Sequence, residues 1–176
     1  MHPVVEFICT GLGFYGSMSS PIEFCAAHMN HHKFMDTEKD PHSPKHIGWK
    51  AMFPLFWTGR DQGDIKTIVR LGKNKITRFY HDYYWYLIFV PLLLWPISTN
   101  AFLYLFVVPV GFSLATLTIS TLNHDENGPK DMGLLYGILT GGEHHHTWHH
   151  SHAVDTSGEG FVDVIANLIA TKRLSK

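Results

Sequence analysis

The chain has 176 residues, 14 histidines against 14 lysines and arginines together, 45% hydrophobic residues and a formal net charge of −1. That length fits one domain. The near-neutral charge gives no support for nucleic-acid binding, and Cys9 and Cys25, without Cys-x-x-Cys spacing, argue against a disulfide scaffold or a thiolate metal site. The histidines point to metal and the apolar content to lipid.

In chain order, the first segment, Val4 to Cys25, has apolar residues at a loosely helical spacing softened by Gly11, Gly13 and Gly16. It predicts a helix at the membrane interface, although a buried core helix fits the segment equally well. No secretory leader is expected, because no basic segment precedes the apolar residues and Glu6 interrupts them. His28-Met29-Asn30-His31-His32 follows. On a helix, residues three and four apart share a face, so His28, His31 and His32 present three imidazoles to a common point. Asp36, Glu38 and Asp40 lie just beyond, where a carboxylate can accept the second ring N–H of a ligating histidine. Asp40-Pro41 predicts a helix end, since a residue before proline is pushed out of the α region.

From Lys33 to Tyr80 the chain holds ten of its 14 lysines and arginines against five acidic residues. This excess precedes the longest uncharged run, as expected of a cytoplasmic flank, and also suits docking of an acidic redox partner. Between Tyr83 and Asn123, 41 residues contain no Asp, Glu, Lys, Arg or His. Ser98-Thr99-Asn100 divides the run into arms of roughly 22 Å and 33 Å as helices, against a hydrocarbon core of about 30 Å. A transmembrane hairpin over about residues 83–122 is expected, with Tyr80, Tyr83, Tyr84, Trp85, Tyr86 and Trp95 at its interfaces. Pro91, Pro96 and Pro109 are tolerated better in a membrane helix than in a soluble one. Both ends of a hairpin emerge on one side, which returns His124 to the face that holds His28, His31 and His32.

Asp125 to Pro129 predicts a turn, and Met132 to Leu139 a short apolar segment. The run Gly142 to His152 then repeats the first cluster's spacing in His146, His149 and His150, although other pairs within it also have helical spacing. Imidazole suits zinc, copper, iron and nickel alike, so metal storage stays open on the residues alone. Gly158 to Leu174 predicts an amphipathic closing helix with Lys172 and Arg173 at its C-terminus.

Taken together, His-Met-Asn-His-His with its Asp-Pro-His segment, the uncharged run, Asn123-His124 and Gly142-Glu143-His144-His145-His146-Thr147-Trp148-His149-His150 resemble the membrane-bound fatty acid desaturases, in particular their Δ9, stearoyl-CoA-desaturase-like branch. The resemblance covers nearly the whole chain. It implies an all-α integral membrane protein, a single domain over residues 1–176 with a transmembrane hairpin and a cytoplasmic histidine-rich helical cap. It implies that His28, His31, His32, His124, His146, His149 and His150 ligate two iron ions, with Asp36, Asp40 and Glu143 behind them and no catalytic residue beyond the ligands. The implied reaction uses O2 to place a cis double bond, Δ9-type, in an acyl-lipid or acyl-CoA chain. Electrons come from a donor such as ferredoxin or cytochrome b5, and membrane lipid surrounds the helices.

Two features depart from that pattern. The family has an earlier histidine box, whereas here only His2 precedes His28, so the chain is expected to be N-terminally incomplete. Acyl-CoA-using animal members carry Arg-Asp where this chain has Ala26-Ala27, which weakens an acyl-CoA headgroup and leaves acyl-lipid open. The competing expectations are a hydroxylase or ketolase of the same histidine-box superfamily and a catalytically inactive metal-binding membrane fragment.

Overall fold

The computed structural model describes residues 2–48, 50, 63–140 and 143–152, and these are mostly helical. Helix α1 (Pro3–Ser17) opens with a proline, whose missing N–H would find no helical partner there in any case. Its N-cap is His2, whose Nδ1 accepts from the Val4 N–H at 3.3 Å. The helix stops at Met18, which takes a left-handed φ of 50°. Ser20 is extended, as a residue before proline must be, and Pro21 starts helix α2 (Pro21–Phe34). The single helix expected over Val4 to Cys25 is therefore two. The end of α2 at Phe34 also comes earlier than the expected stop at Asp40-Pro41, because Asp36 turns the chain with φ 58°.

Helix α1 has one buried face and one exposed apolar face. One face packs inward: Phe14 is 1% exposed, among the rings of Tyr15, Tyr80 and Tyr84 at 5.0–5.6 Å. Gly11 lets Tyr80 approach so closely that a Cβ would lie 2.5 Å from its hydroxyl, and Gly16 does the same for Ser113 at 2.9 Å. The other face leaves Val4, Ile8 and Leu12 exposed, one turn apart on a single stripe.

After the short α3 (Pro44–Ile47) come α4 (Ile65–Gly72) and α5 (Lys75–Asp82), capped by Asp64 and Asn74 side chains that accept backbone N–H groups. Both pack on α2, and the Asp64 N–H donates to the Ala26 carbonyl at 3.0 Å. Part of the expected basic flank, residues 51–62, lies outside the described residues.

The uncharged run behaves unequally in its two halves. Helix α6 (Tyr84–Leu87) gives way to a 3-10 stretch at Val90–Leu94, since Pro91 has no N–H for the helical ladder and its ring clashes one turn back. The second half is continuous: α7 (Thr99–Phe102), a π-type turn at Leu103–Val107, α8 (Val108–Ser120) and a 3-10 turn at Thr121–Asn123. Together they make a 25-residue helix, Thr99–Asn123, with an 18-residue stretch of mean hydropathy 2.1. At about 1.5 Å per residue it exceeds a 30 Å hydrocarbon core. Of the two expected arms, only this one forms a helix long and apolar enough to cross a bilayer. Tyr15 ties α1 to both halves, donating to the Leu87 carbonyl at 2.9 Å and stacking edgewise on Phe106.

The described residues depart from all-α at one place, a two-residue antiparallel ladder of β1 (His124–Asp125) and β2 (Gly128–Pro129). Gly128 closes its turn at φ 111°, in the region that favours glycine. Helices α9 (Leu134–Thr140) and α10 (His146–Ser151) complete the described chain. The amphipathic helix expected over Gly158 to Leu174 lies outside the described residues.

Candidate metal centre

Helix α2 places His28 and His32 one turn apart, and their Nε2 atoms stand 3.0 Å from each other. His149 from α10 reaches the same point, its Nε2 3.3 Å from that of His28. Beside them His31, His124 and His150 bring ligand atoms within 4.8 Å of one another. His146 joins this second group, its Nε2 3.0 Å from His124 and 3.1 Å from His150. The rings of His32 and His150 connect the groups at 4.4 Å. The fold thus gathers all seven histidines singled out in the sequence, as a group of three and a group of four.

Three carboxylates stand behind the group of four. Asp40 accepts from His31 Nδ1 with both oxygens at 2.9 Å, Glu143 from His146 Nδ1 at 2.8 Å and Asp36 from His124 Nδ1 at 3.5 Å. Asp40 is itself fixed by the backbone N–H groups of Asp36 and His42, each at 2.8 Å. Ser43 Oγ and Lys45 Nζ hold Asp36 at 3.0 and 3.3 Å.

These bonds assign the tautomers. A neutral imidazole that donates from Nδ1 has a bare lone pair on Nε2. In His124 and His146 both Nε2 lone pairs then face each other at 3.0 Å with no proton between them. A cation resolves that contact. Protonation is a poor candidate, because burial first, and then the neighbouring His31 and His146, push His124 down to about 4. Burial and His149 do the same to His32, also to about 4. Burial and His32 hold His28 well below its ordinary value. A metal ion fits: two nitrogens bound to one ion at about 2.1 Å lie about 3.0–3.4 Å apart. Burial alone would raise the carboxyls of Asp40 and Glu143, but the hydrogen bonds from His31 and His146 hold both below the usual range. They face the imidazoles as anions.

Two further side chains build the site without having been assigned a part from the sequence. Asn123 is fully buried and its Nδ2 donates to the Glu143 carbonyl at 3.0 Å, tying the end of the long helix to the turn that leads into α10. His42 is 7% exposed with its ring 5.4 Å from that of His31, and burial first, then His31, lower it to about 3. The Asp-Pro-His sequence was the available signal for His42; Asn123 had none beyond its place next to His124.

The turn Glu143–His145 owes its position to Gly137 of α9. A Cβ on Gly137 would lie 2.5 Å from His144 Cγ and 2.9 Å from its Cβ, atoms too near the backbone to swing aside. Gly137→Ala is expected to cost about 1–3 kcal/mol as overpacking and to displace Glu143 and His146 with the turn. Metal content per folded chain, measured after purification, should fall.

A cavity of about 260 Å³ opens onto the histidines and is lined by His28, His31 and His149 together with the apolar Phe24 and Leu117. Phe24 stacks parallel on His28 with ring centroids 5.9 Å apart.

Fold and site together define a helical protein with two adjoining histidine clusters of metal-binding geometry at the end of an apolar helix. The chain is similar to an icosanoyl-CoA 5-desaturase of Limnanthes douglasii, 30% identical over 168 residues that take in 84% of this chain and 46% of that protein. It is also similar to an acyl-CoA C20 Δ5-desaturase of Anemone leveillei, 25% identical over 170 residues, 84% of this chain and 52% of that protein. Both relatives are named as acyl-CoA desaturases, which supports the fatty acid desaturase family. The chain spans about half the length of the curated relatives it matches. No protein-family model and no solved structure matches it.

Proposed function

We propose that this chain carries the histidine centre of a membrane-bound acyl-CoA desaturase. The observation that carries the reading is the sorting of seven imidazoles into two adjoining groups, three of the rings oriented by carboxylates. His28, His32 and His149 would hold one iron ion and His31, His124, His146 and His150 the other. When bound, the iron pair supplies the O2-dependent removal of two hydrogens that leaves a cis double bond.

The residues of the chain do the rest. Asp36, Asp40 and Glu143 keep the protons of His124, His31 and His146 on Nδ1 and so aim Nε2 inward. Phe24 and Leu117 add apolar surface to the cavity that His28 and His149 also line, where a short stretch of methylenes is held and water excluded. The cavity fits part of an acyl chain, not the whole. The relatives' names favour acyl-CoA over acyl-lipid. Ala26 and Ala27 are 1% and 3% exposed, so the positions where other members carry Arg-Asp are buried here, and the headgroup contacts lie elsewhere.

The helix Thr99–Asn123 spans the membrane in this reading and delivers His124 to the cytoplasmic side. The exposed Lys66, Arg70, Lys73, Lys75 and Arg78 of the α4–α5 face suit an acidic electron donor such as ferredoxin or cytochrome b5. The double bond is Δ9-type by motif order, while the relatives are named for position 5.

The test is iron analysis of the purified chain with fatty acid analysis of cells that express it. Two irons per chain and a new monounsaturated acyl chain are expected, the bond position being read from the product. Hydroxylated products would move the reading to the hydroxylases, and a folded chain without iron would end it.

A further inference from the structure

Asp36 turns the chain with a left-handed φ of 58°, a conformation uncommon outside glycine, and three side chains of the following segment meet it there. Ser43 Oγ donates to its Oδ1 at 3.0 Å, His46 Nε2–H donates to its carbonyl oxygen at 3.0 Å, and the Lys45 ammonium stands 3.3 Å from its Oδ2. Lys45 reaches further. The same ammonium donates to the Glu126 carbonyl at 3.1 Å, 81 residues away, in the turn between β1 and β2 that follows His124. Both contacts lead to one ring, because Oδ2 of Asp36 is also the oxygen that faces His124 Nδ1 at 3.5 Å.

An exposed ion pair contributes little to stability. Here the Asp36 side chain is 9% exposed and that of His124 3%, so the geometry of this contact is set by protein groups rather than by solvent. It is also the longest of the three carboxylate–imidazole contacts, against 2.9 Å for Asp40 with His31 and 2.8 Å for Glu143 with His146. It therefore tolerates the least further displacement. Ser43 and His46 fix Asp36, while the Lys45 ammonium fastens to Asp36 the turn that carries His124.

We infer that Lys45 is a positioning residue for His124: by joining Asp36 to the Glu126 carbonyl, it keeps the carboxylate aligned on His124 Nδ1 and so keeps Nε2 aimed at the centre. This rests on the reading of His124 as a metal ligand.

The experiment titrates the full 176-residue chain with Co2+, a probe whose visible absorption reports its ligands, and measures affinity by competition with a coloured chelator. Lys45→Met keeps the stem and removes the charge; it should weaken the binding of one ion about tenfold, the lower end of what an outer partner is worth, and alter its visible bands. Lys45→Arg, which can reach both acceptors, should restore affinity and spectrum. Lys39→Met, which removes an exposed charge from the same loop, should change neither. If Lys45 works by holding Asp36 and His124 together, adding Lys45→Met to Asp36→Asn weakens binding no further than Asp36→Asn alone. Wild-type affinity in Lys45→Met, failure of Lys45→Arg to restore it, or the same loss repeated on Asp36→Asn overturns the inference. Should Lys45→Met misfold, Lys45→Gln takes its place, and loss of helical circular dichroism in both makes Lys45 a general structural residue and also overturns it. Absence of Co2+ binding by the unaltered folded chain is read before any variant, and it overturns the metal reading itself.

Discussion

On the proposed function, His146→Ala is expected to abolish desaturation and to lower bound iron from two ions per chain to one. His146 is buried and its Nε2 stands within 3.1 Å of both His124 and His150, so no neighbouring imidazole can take its place without moving the other two. The substitution also strands Glu143, which loses its 2.8 Å partner. That residue lies at a partly exposed turn and rehydrates at modest cost, so the chain stays folded while the centre fails. Far-UV circular dichroism beside iron analysis separates the two effects. An unchanged spectrum with halved iron is expected; full iron content would remove His146 from the ligand set.

The second large effect falls on stability as well as on metal. Asp40→Ala withdraws the acceptor for His31 Nδ1 and for the backbone N–H groups of Asp36 and His42. Each buried donor left unmade costs about 1–3 kcal/mol, so a loss of about 3–5 kcal/mol is expected, a large fraction of the roughly 5–15 kcal/mol stability of an ordinary domain. A chemical-denaturation midpoint shifted strongly downward checks it. The sign with pH follows from the same bonds. The carboxyl of Asp40 is held below its ordinary value of 3.8 in the folded chain. Its contribution is therefore full above that value and lost as pH falls through the folded one. In Asp40→Ala the acid-induced loss of stability should be correspondingly shallower.

The local half of this centre was legible in the sequence, because helical spacing alone puts His28 beside His32 and His146 beside His150. Which carboxylate serves which ring was not. Asp36 lies four residues beyond His32 yet its imidazole partner is His124, 88 residues away, and no spacing rule reaches that far. The division into three and four is likewise set by how α10 lies across α2. The long helix Thr99–Asn123 was readable from its lack of charge. The breaks were not read, although both have local causes: Ser20-Pro21 ends the continuity of the first segment, and Pro91 divides the first arm of the uncharged run. In each case proline chemistry outweighed an apolar periodicity that continues straight through it.

The contact between His28 and His149 closes a loop of 121 residues. Bringing such distant points together costs about 4 kcal/mol in chain entropy, whereas the pairs His28–His32 and His146–His150 form with their own helices at no such cost. The half-sites are therefore local, and the centre is not. Occupancy of the complete centre is thus a record of finished folding, since only a chain that has closed this loop of 121 residues offers both groups at once.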